Sequence, residues 1–484
     1  MNTQIRVLGI VLMVLFSALF LQLNNLQIFS AASLNNNSLN TRTVVRDFSQ
    51  PRGSIQTSDG VVIAESVDVH DAFERQRRYP EGELFAHITG YFSFTFGDDG
   101  AERIYNDALT GRNNKVSLNR LGDILLDKDK TANVTLTVSK SLQQLATDGL
   151  AGRKGSVVAI DPRNGAILAF ADYPSYDPNL LASHNQDDVR KAWADLNADV
   201  NRPLLPRTYR ERYFPGSSFK VVTTATALAT GVATPTQPVY PVLTALPLPQ
   251  TTEPLRNFGG ESCGGALPEI LQVSCNTAFA QLGLDIGAQG MANGANQFGF
   301  NKVPPIDLPF GAASVFPDAS AFARDKPALA KSAIGQQDVA ATPLQMALVA
   351  AGIANNGVIM TPHVMAEVRN SQADVLERYE PKPWLQAVPP EVAHATRDMM
   401  IGVVAGGTGT AAQIPGVAVA GKTGTAQTGL GTSHTWFIAF APAEAPRVAV
   451  AVMLENQPSA NEFTGGVLAA PIAHDIIVAA LGAG

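Results

Sequence analysis

Cysteine, histidine and charged side chains are scarce in this chain of 484 residues. It has two cysteines, seven histidines and 16% charged residues, and the cysteines and histidines do not recur at the spacings of metal ligands. We therefore expect neither a metal ion nor another cofactor. Positive charge is also in the minority, with 35 lysines and arginines against 42 aspartates and glutamates. This balance argues against a binding groove for nucleic acid.

The few local clusters of charge are short. Arg75, Arg77 and Arg78 are interrupted by one glutamine, a pattern that predicts a solvated surface. Asp98 and Asp99 precede a glycine and predict a turn rather than a cation site.

Long apolar runs are rare, and the most prominent one lies near the N-terminus. It extends from Val7 to Leu21, after a start that contains Arg6, and no lysine or arginine follows before Arg42. This asymmetry of charge predicts a cytoplasmic N-terminus, with the remainder of the chain outside the cell. The length of the run fits a short membrane-spanning helix, or the apolar part of a cleavable leader, which needs about 7 to 15 residues.

The two cysteines, Cys263 and Cys275, are twelve positions apart. In an oxidising compartment such a pair can close a loop as a disulfide, which would stabilise the fold by about 3 kcal/mol. Two buried thiols are the alternative, because Cys275 lies in an apolar stretch and free cysteine is commonly buried.

Three short strings in the second half of the chain carry the chemistry. They are Ser217-Ser218-Phe219-Lys220, Ser274-Cys275-Asn276 and Lys422-Thr423-Gly424-Thr425. Each alone is a weak signal, since a Ser-x-x-Lys match is expected roughly once or twice by chance in a chain of this length. As an ordered set they supply a hydroxyl nucleophile, an amine to deprotonate it, a polar relay and a cationic rim for an anionic substrate. The set predicts an acyl-transfer site.

The first string predicts a helix that begins at the nucleophile. A turn signal precedes Ser217, and apolar residues recur at helical spacing from Phe219 until Gly231 offers a stop. At a helix N-terminus the backbone N–H of Ser217 is free to hold an oxyanion. Lys220 follows one turn later on the same face. If it is buried there, desolvation favours the neutral amine that a general base requires.

Ser274 and Asn276 precede an apolar helical pattern that continues through Leu282. Taken alone, Ser274 could be no more than the N-cap of that helix. Because the other two strings are present, we assign Ser274 to proton relay and Asn276 to the binding of a substrate amide.

The third string predicts a β-strand from Val417 to Thr428. A strand with a free edge can pair with a peptide, and Gly424 removes a side chain where the backbones must approach. We assign Lys422, Thr423, Gly424 and Thr425 to substrate binding, with the ammonium of Lys422 meeting a carboxylate. The backbone N–H of Thr425 is the predicted second donor to the oxyanion. A phosphate-binding loop is disfavoured, because the glycine spacing of that motif is incomplete.

The pattern along the chain predicts three parts. Residues 1–30 form a cytoplasmic tip and membrane anchor. Residues 31–150 alternate short β-type stretches with turns and predict a β-rich pedestal. Residues 151–484 contain all three strings and predict one catalytic domain.

Within the catalytic part, strands from both ends of the segment are expected to share one five-stranded antiparallel sheet with helices on both faces. The predicted strands are Ser156–Ile160, Ala166–Ala171, Val417–Thr428, Thr435–Ala441 and Val448–Leu454, and the predicted helices include Leu344–Asn355 and Ala470–Leu481.

The order, spacing and flanks of the three strings resemble those of penicillin-binding proteins and serine β-lactamases. Further strings resemble the class B penicillin-binding proteins. They are Arg52-Gly53-Ser54-Ile55 with Asp59-Gly60, Gly100 with Glu102 and Tyr105, Ala159-Ile160-Asp161-Pro162, and Ala341-Thr342-Pro343-Leu344-Gln345. The resemblance covers nearly the whole chain past the leader. Thr57 stands where this family usually has aspartate and Gln337 where it often has glycine, but no catalytic string departs from the pattern.

This resemblance implies an α+β protein. An uncleaved membrane anchor would precede the pedestal, which is of the dimerisation type. A β-lactamase/transpeptidase-like domain would follow the pedestal. The chain would cross the cell membrane once, with its catalytic domain extracytoplasmic. The implied activity is D,D-transpeptidation of peptidoglycan stem peptides in cell-wall synthesis, with covalent inhibition by β-lactams. Membrane proteins of the division or elongation machinery are the implied partners.

The resemblance also implies a mechanism. Neutral Lys220 accepts the proton of Ser217, whose Oγ attacks the penultimate D-Ala carbonyl. The backbone N–H groups of Ser217 and Thr425 hold the oxyanion, and an amine of a second stem resolves the acyl-enzyme. The same strings serve D,D-carboxypeptidases and β-lactamases, which differ in the acyl acceptor and the deacylation rate. A structural scaffold of the division machinery, with vestigial catalysis, is an alternative of another class.

Overall fold

The computed structural model describes residues 2–25, 48–71, 73–112, 131–429, 431–459 and 463–482. Residues 31–47 and 113–130 of the predicted pedestal lie outside these ranges. The chain forms two compact units, one with residues of 1–51 and 67–76 and the other with residues of 52–66 and 77–484.

The described α-helices are Asn2–Asn24, Ala86–Thr89, Gly100–Ile104, Asn106–Leu109, Lys140–Leu150, Asn179–Ala182, Gln186–Ala198, Arg207–Arg210, Lys220–Ala229, Leu267–Gln272, Asn276–Gln297, Lys326–Ser332, Pro343–Ala354, Pro390–Gly406, Gly465–Leu468 and Ala470–Gly482. The described strands are Ile55–Gln56, Val62–Asp68, Arg75–Arg78, Phe92–Ser93, Gly97–Asp98, Ala132–Leu136, Gly155–Ile160, Ile167–Tyr173, Tyr240–Leu243, Ala245–Leu246, Leu255–Arg256, Cys263–Gly265, Val358–Met360, Met365–Asn370, Val375–Arg378, Pro383–Gln386, Ala420–Gln427, Thr432–Ala441 and Val448–Pro458. The described 3-10 helices are Gly82–Phe85, Gly216–Phe219, Phe258–Gly260, Ala319–Phe322 and Thr410–Ala412.

The smaller unit contains the helix Asn2–Asn24, whose apolar side chains are exposed. Its segment Thr3–Asn24 is long and apolar enough to cross a membrane, with a mean hydropathy of 2.3. The predicted apolar run lies inside this helix, which is a candidate membrane anchor. In the same unit, the rings of Phe48 and Phe73 make an edge contact with centroids 5.7 Å apart.

A five-stranded antiparallel sheet lies in the larger unit, as predicted. Its strand order is Ala420–Gln427, Thr432–Ala441, Val448–Pro458, Gly155–Ile160 and Ile167–Tyr173. Strands from both ends of the predicted catalytic segment therefore meet in one sheet, and the long segment between them supplies helices.

Successive side chains of a strand point to opposite faces of the sheet, and helices cover both faces. The helix Pro343–Ala354 is buried along its whole length and packs with Ala449 and Ala451 on one face. On the other face, Val450 and Val452 pack with the helix Ala470–Gly482. The segment Gly465–Gly482 is also long and apolar enough to cross a membrane. Its isoleucines are buried against the sheet, as in the core helix of a globular domain.

The strand that carries the third string forms one edge of this sheet. Ala420–Gln427 pairs with Thr432–Ala441, which leaves its other side unpaired by any described strand. The predicted start at Val417 is three residues too early, because Ile414 and Val417 close a tight turn around Gly416, whose φ is 78°.

A second sheet has six strands, in the order Val375–Arg378, Met365–Asn370, Ala132–Leu136, Ile55–Gln56, Val62–Asp68 and Arg75–Arg78. Ile55–Gln56 runs parallel to Ala132–Leu136, whereas Met365–Asn370 runs antiparallel to it. Strands from both sides of the predicted boundary near residue 150 thus share one sheet. The boundary itself stays a prediction.

The prediction of a solvated basic cluster is wrong for Arg77. Its side chain is 1% exposed, and its Nε donates to Glu102 Oε1 at 2.6 Å. Arg52 donates to the other oxygen of the same buried carboxylate, also at 2.6 Å. Burial alone would raise the pKa of Glu102, but the charges of Arg77 and Arg52 and their hydrogen bonds hold this pKa below its ordinary value. Arg78, on the same strand, is exposed as predicted.

Replacing Glu102 by alanine should strongly destabilise the larger unit, because Arg52 and Arg77 would stay buried without a counter-charge. Removing one partner of a buried pair lowers the free energy of unfolding by roughly 3 to 5 kcal/mol. Glu65→Ala is the matched control, since it breaks only the exposed pair with Arg78, worth roughly 0.2 to 1 kcal/mol. Denaturant unfolding of the full chain in detergent measures both changes, and equal losses in the two variants would contradict the buried cluster.

Because the pKa of Glu102 is depressed in the folded state, its stabilisation is present above the ordinary glutamate pKa. It should be lost as the pH falls through the lower folded value.

Candidate active site

Ser217 lies in the 3-10 turn Gly216–Phe219, which leads directly into the helix Lys220–Ala229. The predicted helix start is confirmed, with the difference that its first turn is a 3-10 turn. This turn packs against the edge strand. A Cβ on Gly216 would lie 2.8 Å from the carbonyl oxygen of Thr425, and one on Gly424 would lie 2.8 Å from that of Pro215. The two backbones can approach this closely only where neither residue has a side chain.

Lys220 is completely buried, and its amine contacts the second string. Its Nζ donates to the backbone oxygen of Ser274 and to Oδ1 of Asn276, both at 2.7 Å. Burial, reinforced by the positive charge of Lys422, lowers the pKa of Lys220 well below its ordinary value. The amine is therefore neutral at a pH where an exposed lysine would be charged. A neutral amine has two N–H groups and one lone pair. The two hydrogen bonds of 2.7 Å match the two N–H groups, and the lone pair of such an amine can accept a proton.

No hydrogen bond joins the Ser217 hydroxyl to another described residue, Lys220 included. Ser217 is half-buried and faces an open cavity. Hydrogen bonds between catalytic groups often form or tighten only when substrate binds.

Ser274 is not the N-cap of the helix that follows it. It lies between the helices Leu267–Gln272 and Asn276–Gln297, and Cys275 is the N-cap residue. The φ of Ser274 is 59°, in the left-handed region that non-glycine residues rarely adopt. In this conformation its Oγ lies 3.3 Å from Nζ of Lys220 and accepts from Nζ of Lys422 at 2.9 Å. The hydroxyl of Ser274 thus connects the two lysines.

Lys422 is buried behind Ser274 rather than at the rim of the cavity. Its Nζ also donates to the backbone oxygen of Thr423 at 3.0 Å, and burial lowers its pKa to about 7. The third string instead presents Thr423 and Thr425 to the cavity. The Oγ1 of Thr423 shares a hydrogen bond of 2.6 Å with that of Thr408.

The cavity has a volume of about 640 Å³ and brings the three strings together. Its lining includes Ser217, Ser274, Asn276, Thr423 and Thr425, with Lys220 and Lys422 behind the wall. Sequence reasoning missed the other lining residues used below, which are Thr408, Val242, Phe258, Glu261, Glu269 and Val273. They belong to a strand, two short helices and loops outside the strings, and no local pattern in the sequence marks them.

Cys263 and Cys275 are joined by a disulfide in the structure, with their Cα atoms 5.7 Å apart. The bond connects the strand Cys263–Gly265 to the N-cap residue of the helix Asn276–Gln297. It therefore ties one wall of the cavity to the second string.

Residues 155–478 match the model of the penicillin binding protein transpeptidase domain. The chain belongs to the penicillin-binding protein family. Residues 52–134 match a second model, the penicillin binding protein A dimerisation domain. The resemblance to class B penicillin-binding proteins is thereby confirmed, and with it the predicted fold class.

Two mycobacterial proteins are similar in sequence to this penicillin-binding protein over nearly its whole length. PbpA of Mycobacterium tuberculosis, a peptidoglycan D,D-transpeptidase, is 39% identical over 99% of this chain and 99% of its own length. The D,D-transpeptidase PbpA of Mycolicibacterium smegmatis is also 39% identical, with the same coverage. The structure of penicillin-binding protein A from M. tuberculosis as a ceftriaxone acyl-enzyme complex has a TM-score of 0.84 and 38% identity. It matches 90% of this chain and 100% of its own.

Proposed function

We propose that this penicillin-binding protein is a peptidoglycan D,D-transpeptidase that acts through an acyl-enzyme on Ser217, and that β-lactams inhibit it by acylating the same residue. The observation that carries the proposal is the buried amine of Lys220. Lys220 follows Ser217 by one helical turn and contacts Ser274 and Asn276, which line the same cavity as Ser217. The transpeptidase activity of the mycobacterial relatives and the acyl-enzyme form of one of them support it.

In the acylation step, the Lys220 lone pair takes the proton of the Ser217 hydroxyl as Oγ attacks the penultimate D-Ala carbonyl of a donor stem. The backbone N–H groups of Ser217 and Thr425 hold the oxyanion that forms. The peptide bond then breaks, and the leaving D-Ala nitrogen receives a proton through the Ser274 hydroxyl. The terminal D-Ala departs, and Ser217 carries the acyl group.

In the second step, an amine of another stem attacks the acyl-enzyme carbonyl. The attacking nitrogen forms the new amide bond and gives up a proton, which returns to Ser217 Oγ by the same relay as the ester bond breaks. A cross-link is the product. Attack by water instead would make the protein a D,D-carboxypeptidase.

The edge strand would position the donor stem. Its unpaired side can form backbone hydrogen bonds with an extended peptide, as in strand addition. The hydroxyls of Thr423, Thr425 and Thr408 would contact the terminal carboxylate, and Lys422 would contribute positive charge from behind Ser274.

We propose a single-pass topology for the chain. The helix Asn2–Asn24 would anchor it in the cell membrane, with Arg6 on the cytoplasmic side and the catalytic domain outside. The disulfide suits an oxidising, extracytoplasmic location. Membrane proteins of the division or elongation machinery are the proposed partners.

Mapping the adduct formed with penicillin tests the proposed function. Intact-mass measurement should show one penicillin added without loss of atoms, and peptide mapping should place it on Ser217. The adduct should persist long after free drug is removed. Rapid release of hydrolysed penicillin would indicate a β-lactamase. Release of D-Ala from stem peptides without any cross-linked product would indicate a carboxypeptidase.

A further inference from the structure

The cavity has two chemically different walls. Around Ser217, the edge strand and Thr408 present hydroxyl groups. Another wall, formed by segments around residues 242, 258 and 273, presents apolar side chains, of which Val242 is 69% exposed, Val273 50% and Phe258 44%. Side chains of this kind are usually covered when a binding partner is present.

The same wall also carries two carboxylates, Glu261 and Glu269. They are the charged side chains among the described residues that line the cavity. Neither of them forms an ion pair or a side-chain hydrogen bond with another described residue, and both are exposed to solvent. The wall therefore has an uncompensated negative charge beside its apolar surface.

This wall is held in place by the surrounding structure. The strand Tyr240–Leu243 pairs with Cys263–Gly265, and the disulfide fixes the second of these strands to Cys275. The Nδ2 of Asn257 donates to the backbone oxygens of Leu243 and Glu261, at 2.7 and 3.0 Å. The geometry is thus preformed, which reduces the entropy lost when a ligand binds.

A methylene chain that ends in an ammonium group complements an apolar surface with carboxylates. The terminal carboxylate of a donor stem complements the hydroxyl wall instead. Cross-linking needs both substrates in one cavity, and the reacting group of the acceptor stem is an amine, which is cationic when it is free in water. We propose that the wall formed by Val242, Phe258, Val273, Glu261 and Glu269 is the subsite for the acceptor, and that it selects a diamino-acid side chain with a free terminal amine. This inference rests on the proposed transpeptidase function and names the acceptor of the same site.

The two carboxylates would bind the ammonium form and raise its concentration beside the acyl-enzyme. The small deprotonated fraction in equilibrium with it is the form that attacks. Glu261 and Glu269 are therefore specificity-determining residues and do not take part in acylation.

The test measures how the acyl-enzyme of the full-length protein divides between water and added amines. The acyl-enzyme is formed from a thioester donor that has no diamino acid. The acceptors are the tripeptide L-Ala-γ-D-Glu-L-Lys, whose side chain ends in an ammonium group, and hydroxylamine, which is neutral at the pH of the assay. The variants are Glu261→Gln, Glu269→Gln and the double variant. Glu253→Gln is the matched control, because Glu253 is exposed and does not line the cavity.

In the double variant, the tripeptide concentration that gives half-maximal aminolysis should rise roughly tenfold, as expected for the loss of charge-assisted hydrogen bonds. Aminolysis by hydroxylamine, acylation by penicillin and all properties of Glu253→Gln should be unchanged. Unaltered dependence on the tripeptide in the double variant, with normal acylation, would overturn the inference.

A slower acylation only by donors that contain a diamino acid would also overturn it, because the wall would then bind the donor. Failure of the unaltered protein to be acylated by either penicillin or the thioester is a separate result. It would contradict the proposed function and, with it, this inference.

Discussion

Replacing Ser217 by alanine should reduce covalent labelling by a fluorescent penicillin to background, a loss of roughly 1000-fold or more in the acylation rate, because no other group would supply the attacking oxygen. Ser217 is the hydroxyl of its string that faces the cavity. The adjacent Ser218 is buried, and its Oγ donates to the backbone oxygen of Pro215 at 2.7 Å. The two serines therefore differ in access although they are neighbours in sequence.

Ser218→Ala is the matched control for this experiment. It removes a hydroxyl from the same turn, and we expect its labelling rate to stay within about fivefold of the unaltered protein, since the hydrogen bond that it loses is worth about 1 kcal/mol. Thermal unfolding checks that both variants are folded. Stable labelling of a folded Ser217→Ala protein would remove Ser217 from the mechanism.

Replacing Lys220 by methionine should slow acylation by roughly 100-fold to 10,000-fold, the range that a general base contributes. Methionine is close in length and apolar, so it suits a site that is already buried. It has no lone pair of suitable basicity, and Ser217 would keep its proton until attack. Stopped-flow measurement of penicillin acylation gives the rate constant.

The pH dependence of acylation distinguishes loss of a base from local damage. Burial and the neighbouring Lys422 lower the pKa of Lys220 well below its ordinary value. The acylation rate of the unaltered protein should therefore rise with pH. This rising limb of the pH–rate profile is set by the lowered pKa of Lys220, because at lower pH a proton occupies the lone pair of its amine. The methionine variant should lack this limb, whereas Lys302→Met, at an exposed position outside the cavity, should retain both rate and limb. A limb that persists unchanged without Lys220 would assign the base to another group.

The catalytic half of the fold could be predicted because its signals are local. Alternation of small and β-branched residues marks the strands, and the helix after Ser217 follows from regular apolar spacing. The three strings can be recognised from their own residues and from their order along the chain. Their convergence at Lys220, Ser274 and Lys422 could be expected from the family resemblance, although the left-handed backbone of Ser274 could not.

Other features that depend on distant partners could not be predicted, although the meeting of strands from both ends of the catalytic segment could. The sequence around Arg77 does not show that this side chain will be buried in an ion pair with Glu102. The arginine-rich segment has the local pattern of a solvated surface. The pairing of Ala132–Leu136 with Met365–Asn370 joins segments more than 200 residues apart. The cavity wall that we propose for the acceptor likewise lies outside the three strings. Contacts of this kind are decided by the tertiary fold rather than by local propensity.

The shared six-stranded sheet restricts how the molecule can be dissected. A recombinant fragment that starts after residue 150 would retain the strand Met365–Asn370 but lack Ala132–Leu136, its partner on one side. Its bare backbone N–H and C=O groups would then be open to another molecule, which favours self-association. Fragments made from this chain for binding studies should therefore begin before Arg52, so that Ile55–Gln56 and Ala132–Leu136 stay in one sheet with Met365–Asn370.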